Sequence, residues 1–214
     1  PAPPLRATAL APRWVPCTPP AAPADPGMDD AHLLLVLRQA RGGDAVAFAQ
    51  LVEHYYPRAL RFACQMLRRR EDAEEAVQDT FLRVHDNLSR FREDSPFDPW
   101  FFRILGNRCR TMLARRKRHH DLIAYGDLPH DAVGDEPVDG PDDHFARAVH
   151  HALATLPPEQ REAFLLRHVN DMDYEEMTLV TGARGSTLRM RVKRAVDALR
   201  HRLQPTVSAG VPRE

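Results

Sequence analysis

The sequence predicts an all-α protein built from two small helical domains joined by a flexible acidic linker. Three observations carry that reading. Apolar residues recur at spacings of three and four through most of the chain, and no stretch alternates as a half-buried strand does. Thirty Lys+Arg balance thirty Asp+Glu over 214 residues, yet the charges are segregated. Proline and glycine collect in two places, at the start and in the middle, and leave two continuous helical blocks.

Residues 1–27 hold nine Pro and seven Ala, with Arg6, Arg13 and Asp25 as the only charges. Such a segment cannot bury a core and reads as a disordered arm. Its prolines interrupt any continuous apolar stretch of the kind a signal peptide carries. Met28 is a candidate alternative start. Residues 28–118 form the first helical block, with 17 basic and 13 acidic residues. Residues 119–144 hold eight acids and no Lys or Arg. That linker is extended and self-repelling, and reads either as a solvated spacer or as a nucleic-acid mimic seated in a basic channel. Residues 145–204 form the second block, with 10 basic and 7 acidic residues, and 205–214 are a neutral tail.

In the first block, Phe48, Leu51, Val52, Tyr55, Ala59, Phe62 and Met66 mark an amphipathic helix. A second stripe is Ala73, Ala76, Val77, Thr80, Phe81, Val84 and Leu88. Its opposite face shows Asp72, Glu75, Gln78, Asp79 and Asp86. A third helix starts near Ser95-Pro96, a capping residue followed by a first-turn proline, and ends in Arg115–Arg118. Phe91, Phe97, Trp100, Phe101 and Phe102 crowd its start. They fit equally a core and a platform for stacking unpaired bases.

The second block opens with a helix from about Phe145 to Leu156. Pro157-Pro158 punctuates it, and another helix covers Glu159 to Val169. Asp173 and Glu176 have capping-box spacing ahead of a short helix that stops at Gly182. A last helix runs from about Ser186 to Leu203 with an apolar stripe of Leu188, Val192, Ala195, Leu199 and Leu203. The final pair has helix-turn-helix spacing. Removing the apolar stripe leaves Ser186, Arg189, Met190, Lys193 and Arg194 facing out, with Arg184 just before them. Arginine bonds guanine edges bidentately, Lys and Arg hold phosphates, and an apolar tip touches a thymine methyl.

Other chemistries find little support. The three cysteines, Cys17, Cys64 and Cys109, include no Cys-x-x-Cys pair, which suits a reducing cytoplasm. Cys64 and Cys109 fall on apolar stripes and read as core. No apolar run approaches the roughly 20 residues of a membrane span. Eleven His include His119-His120 and His150-His151, but adjacent His side chains diverge on a helix and no His-Glu-x-x-His is present. No Walker loop, Gly-rich nucleotide loop or G-x-S-x-G occurs, so no metal, cofactor or enzyme activity is expected.

Three stretches together resemble the extracytoplasmic-function (ECF) group of the sigma-70 family, bacterial transcription initiation factors. They are Asp72–Val84, then Phe91–Ile104 with Asn107 and Arg115–Arg118, and finally Leu156–Arg167, Tyr174–Met177 and Ser186–Ala195. The first two resemble conserved region two and the third resembles region four. The match spans about residues 30–118 and 145–203. The resemblance implies that Asp72, Glu75, Gln78 and Asp79 dock on the β′ clamp helices of core RNA polymerase, with the β flap a further contact. It places Trp100, Phe101, Arg103 and Asn107 where the minus-ten element is opened, and Arg110, Arg115, Arg116 and Arg118 on phosphates there. It assigns Arg184, Ser186, Thr187, Arg189, Met190, Arg191, Lys193 and Arg194 to the minus-thirty-five element. It also implies a linker that threads the polymerase channel and an anti-sigma partner. Met190, Ser186 and Thr111 depart from the usual residues of the group, which bears on the promoter sequence read. An ordinary helix-turn-helix regulator, free of polymerase, is the alternative. It leaves the acidic helix and the aromatic–basic helix unexplained.

Overall fold

The computed structural model describes residues 28–123 and 144–209, and every regular element among them is helical. Four α-helices make the first block: α1 (Asp30–Arg41), α2 (Ala45–Leu67), α3 (Arg70–Asn87) and α4 (Phe97–Ile123). A 3-10 turn, Leu88–Arg90, follows α3. The second block holds α5 (His144–Ala154), α6 (Pro158–His168), α7 (Tyr174–Thr181) and α8 (Gly185–Ala209). The Pro/Ala arm, most of the acidic linker and residues 210–214 lie outside the described residues.

Local chemistry sets the boundaries. Asp29 and Asp44 cap α1 and α2, accepting from His32 N at 2.7 Å and Val46 N at 2.8 Å. No side chain caps α3, but Glu71 and Asp72 in its first turn meet the positive end of the helix dipole. The expected capping box forms on α7. Asp173 Oδ1 accepts from Glu175 N and Glu176 N at 2.8 Å, and Glu176 Oε2 accepts from Asp173 N at 2.9 Å. Gly182 ends α7 at φ 72°, a left-handed conformation that glycine adopts without penalty. Two helices run past their expected ends: α4 extends five residues beyond Arg118 to Ile123, and α8 six residues beyond Leu203 to Ala209, into the expected tail.

The first block packs α2, α3 and α4 around an aromatic centre. Phe101 lies 4.8 Å from Tyr55, 5.4 Å from Phe81 and 5.4 Å from Phe102, centroid to centroid. Ala73, Ala76, Val77 and Val84 of α3 close against it, all at 1% exposure or less. In the second block, Ala163, Leu165 and Leu166 meet Met177, Val180, Leu188 and Val192. Leu153 and Leu156 pack with Ala195 and Leu199 as a smaller cluster.

The two blocks do not stand apart. α7 lies along α4, and α5 and α6 touch α2, so one apolar core runs through both. Arg161 of α6, only 5% exposed, knits the junction. It donates to Leu153 O, Ala154 O and Leu156 O at 2.8–3.0 Å, and across the junction to Met66 O at 3.0 Å and Gln65 O at 3.3 Å. Five carbonyls, including the end of α2, are thereby satisfied by one planar fork. Burial lowers the Arg161 pKa to about 10, still far above neutral, so the fork stays charged.

Candidate polymerase and nucleic-acid interfaces

The acidic face of α3 turns away from the core because Ala73, Ala76, Val77 and Thr80 take the inner side. Glu75 and Gln78 are exposed, and Asp72 and Asp79 are half-buried. These acids are not bare. Arg108 of α4 donates from Nη2 to Glu75 Oε1 at 2.8 Å. Its Nε lies 3.0 Å from Asp79 Oδ2 without a hydrogen bond, a charge contact only. Arg83 pairs with Asp79 at 3.1 Å, and Arg116 Nη1 stands 3.8 Å from Asp72. Sequence reading missed Arg108. Its only signal is a cation on the α4 turn next to the Asn107 motif, and its reach to α3 is a tertiary fact. Leu82, 66% exposed, adds an apolar spot one turn beyond Asp79.

On α4, Trp100, Arg103, Asn107 and Arg110 recur at three and four and share one side of the helix. Trp100 is half-buried, its ring 5.3 Å from Phe91 and 5.4 Å from Phe97. Arg103 and Asn107 are exposed, as are Arg115 and Arg118. Arg116 is half-buried and donates to Leu67 O at 3.3 Å. Arg110 is engaged: Nη2 donates to Asn107 Oδ1 at 2.6 Å, and Nη1 to Glu162 of α6. Phe101 requires a correction. The resemblance placed it on DNA, but it is 0% exposed inside the Tyr55–Phe81–Phe97–Phe102 cluster, with no face left for a base. Of the aromatics left open between core and platform, Phe91, Phe97 and Phe102 are also core, and Trp100 keeps a partly open ring.

On α8, Leu188, Val192, Ala195 and Leu199 of the predicted stripe are at most 6% exposed, and its last member, Leu203, is only half-buried. Arg184, Ser186, Thr187, Arg189, Met190, Lys193 and Arg194 are exposed, and Arg191 is half-buried. Arg189 lies over the Tyr174 ring at 5.0 Å, and Arg167 lies 5.7 Å from that ring. Tyr174 thus braces the first turn of α8 from α7. Both expected core thiols sit on inner faces. Cys109 is 0% exposed, and burial pushes its thiol up to about 12. Cys64 is half-buried. Among the described residues, no three His, Cys, Asp or Glu side chains converge as a cation site requires. Nor is any helix there long and apolar enough to cross a membrane.

Among the described residues, an all-helical architecture that carries both a helix-turn-helix (α7–α8) and an acidic helix (α3) defines the class of protein. Comparison with known proteins gives the family. The family model for Sigma-70 region 2 matches residues 51–119, and that for Sigma-70, region 4 matches residues 146–199. The RNA polymerase sigma factor CarQ of Myxococcus xanthus is 31% identical over 167 residues, 78% of this chain and 95% of that one. The RNA polymerase sigma factor NccH of Alcaligenes xylosoxydans xylosoxydans is 32% identical over 186 residues, 84% of this chain and 97% of its own. Among solved structures, the sigma factor RpoE in complex with the anti-sigma factor NepR from Bartonella quintana superposes with a TM-score of 0.56. It is 25% identical, and the match covers 81% of this chain and 95% of that one. The chain belongs to the sigma-70 family, in its extracytoplasmic-function group. It is a promoter-directing RNA polymerase sigma factor, and the free-standing regulator is not favoured. Sigma factors are initiation factors without catalysis of their own.

Proposed function

We propose that this sigma factor divides its work among three faces. The acidic side of α3, through Asp72, Glu75, Gln78 and Asp79, docks on the β′ clamp helices of core polymerase. Complementary charge there fixes register and speeds encounter. The outer side of α4 meets the minus-ten element. Trp100, Arg103 and Asn107 open it and hold an unstacked base, while Arg110, Arg115, Arg116 and Arg118 hold phosphates. Unstacking costs a few kcal/mol, which stacking and hydrogen bonding offset. The outer side of α8 reads the minus-thirty-five element through Arg189, Met190, Lys193 and Arg194. Thr187 and Arg191 lie nearer the backbone, with Ser186 on the outward face and Arg184 just before the helix.

The observation that carries the reading is the partition of α8. Its buried residues form one strip, and Arg189, Met190, Lys193 and Arg194 occupy the exposed remainder beside a capped, glycine-terminated α7, with Arg191 half-buried. We assign residues 28–118 and 145–204 as the two functional units and 119–144 as a linker that occupies the polymerase channel. The protein itself performs no chemistry; polymerase does. It works in the cytoplasm, where polymerase and promoter DNA are, and an anti-sigma protein holds it when transcription is not required. The relative RpoE, solved with NepR, supports that last assignment.

The test is run-off transcription with bacterial core polymerase on a fragmented genomic library, with and without the protein. Discrete factor-dependent transcripts are expected, and their aligned start regions give the promoter. Tight DNA binding by the protein alone, with no such transcripts, would overturn the assignment.

A further inference from the structure

Arg189 is held in a way that leaves its hydrogen-bonding groups open. Its guanidinium carbon lies 5.0 Å from the centre of the Tyr174 ring. Helical side chains lean toward the N-terminus of their own helix. Arg189 accordingly reaches back one turn, where a Cβ on Gly185 would meet its Nη1 at 3.8 Å, an ordinary contact. A cation in that place meets the positive end of the α8 dipole, and the electron-rich face of Tyr174 offsets the cost. Among the described residues, no carboxylate or carbonyl accepts a hydrogen bond from Arg189.

A carboxylate would hold the guanidinium differently. It grips the edge and uses up the donors that a base needs. A ring grips the face and leaves the five N–H donors of the edge in place. The arginines of α4 show the contrast. Arg108 donates to Glu75, and Arg110 donates to Asn107 and Glu162, so each must exchange a bond before it takes another acceptor there.

Tyr174 is itself well fixed. It is the first residue of α7 and follows Asp173, whose capping box with Glu176 closes at 2.8–2.9 Å. Its carbonyl accepts from Thr178 Oγ1 at 2.8 Å. The ring is half-buried and packs against the core. A second guanidinium, that of Arg167 on α6, lies 5.7 Å from the ring centre and donates Nη1 to Met172 O at 3.0 Å. Helices α6, α7 and α8 thus meet in three side chains, of which only Arg189 belongs to the recognition helix.

We propose that Tyr174 is the positioning residue of minus-thirty-five recognition: its ring fixes the plane of Arg189 so that the open edge meets a guanine as a fork, and discrimination at that base pair is set from α7. The inference rests on Arg189 as a reader of the upstream element. It adds a specificity-determining residue outside the recognition helix.

Two measurements test it. In NMR spectra of the free full chain, the Tyr174 ring current should shift the Arg189 Nε–H signal upfield. Tyr174→Phe should keep that shift and Tyr174→Leu should lose it. Circular dichroism checks that helical content is unchanged, and Tyr174→Met serves as the ring-free variant if the leucine variant misfolds. For recognition, holoenzyme selects from a duplex pool randomised over the upstream element, and sequencing of the bound fraction gives the preference at each position. Arg189→Ala identifies its base pair as the position where preference collapses. Tyr174→Leu should lower preference at that same position about threefold to fivefold and leave the other positions and the salt dependence unchanged. Tyr174→Phe should select as wild type does. The double variant Tyr174→Leu with Arg189→Ala should lose no more there than Arg189→Ala alone. An equal loss in Tyr174→Phe would make the hydroxyl a DNA contact and overturn the positioning role, and so would an equal loss at every position. Full preference in Tyr174→Leu, with Arg189→Ala still collapsing, would overturn it while leaving Arg189 as a reader. A uniform loss in Arg189→Ala would remove Arg189 from base reading and the role of Tyr174 with it. The sigma assignment is separate from all of these and stands or falls on the wild-type transcripts.

Discussion

Arg189 shows how one side chain gains a role from its neighbours. It is exposed in the first turn of α8, yet its guanidinium is held over Tyr174 at 5.0 Å. A guanidinium fixed that way loses less rotamer freedom on binding than a free one. If it bonds guanine O6 and N7, Arg189→Ala should cost about 1–3 kcal/mol at one upstream base pair and relax preference there. Competition binding of holoenzyme across single-base variants of the upstream element measures this. A uniform loss across all sequences would mark Arg189 as a phosphate contact. Phe101 teaches the opposite lesson. Phe97, Trp100, Phe101 and Phe102 lie on several sides of α4, and their spacing does not say which side is inner. That is decided by Tyr55 and Phe81 on other helices, so the sequence showed an aromatic cluster without showing which ring is left open.

Helix α8 was legible because its burial follows a local period: Leu188, Val192, Ala195 and Leu199 are in, and Arg189, Lys193 and Arg194 are out. Helix α1 was not, because Leu33 to Leu37 is apolar on every side; Val36 and Leu37 are buried while Leu34 and Leu35 are exposed. The α3 face was half legible. Its acids were plain, but their pairing with Arg108, brought from 33 residues away, was not. That pairing has a consequence for docking. In the proposed docking, Glu75 and Asp79 would reach core polymerase only by sharing or releasing Arg108. Glu75→Arg with Asp79→Arg sets two new cations beside Arg108 and Arg83. Exposed pairs contribute about 0.2–1 kcal/mol each, so the fold should remain helical while a core pull-down is lost. Arg108→Ala, by contrast, frees both acids and should retain or strengthen the pull-down. Undiminished pull-down by the double reversal would remove α3 as the docking face.

The composition announced two helical units and a linker, and the units are there, but no local pattern could announce that they share a core. The contacts that join them, Arg161 to the end of α2 and α7 along α4, connect residues some 70 to 95 positions apart. Gly106 marks that packing in the structure, since a Cβ there would meet Glu162 Oε1 of α6 at 3.0 Å. Sharing a core changes how the molecule should unfold. A second block of about 60 residues is marginal by itself, because so small a unit buries only about 60% of the surface its unfolded chain exposes. Packed on α4, it borrows burial from the first block, and its own core cannot open without exposing the seam. Calorimetry of the free full chain should therefore show one cooperative transition, with calorimetric and van't Hoff enthalpies equal. Hydrogen exchange should agree: Met177 and Val180 of α7 should open with the same free energy as Leu105 and Cys109 of α4. Two resolved transitions, with α7 exchanging well before α4, would mean that the seam contributes little and that the blocks fold independently.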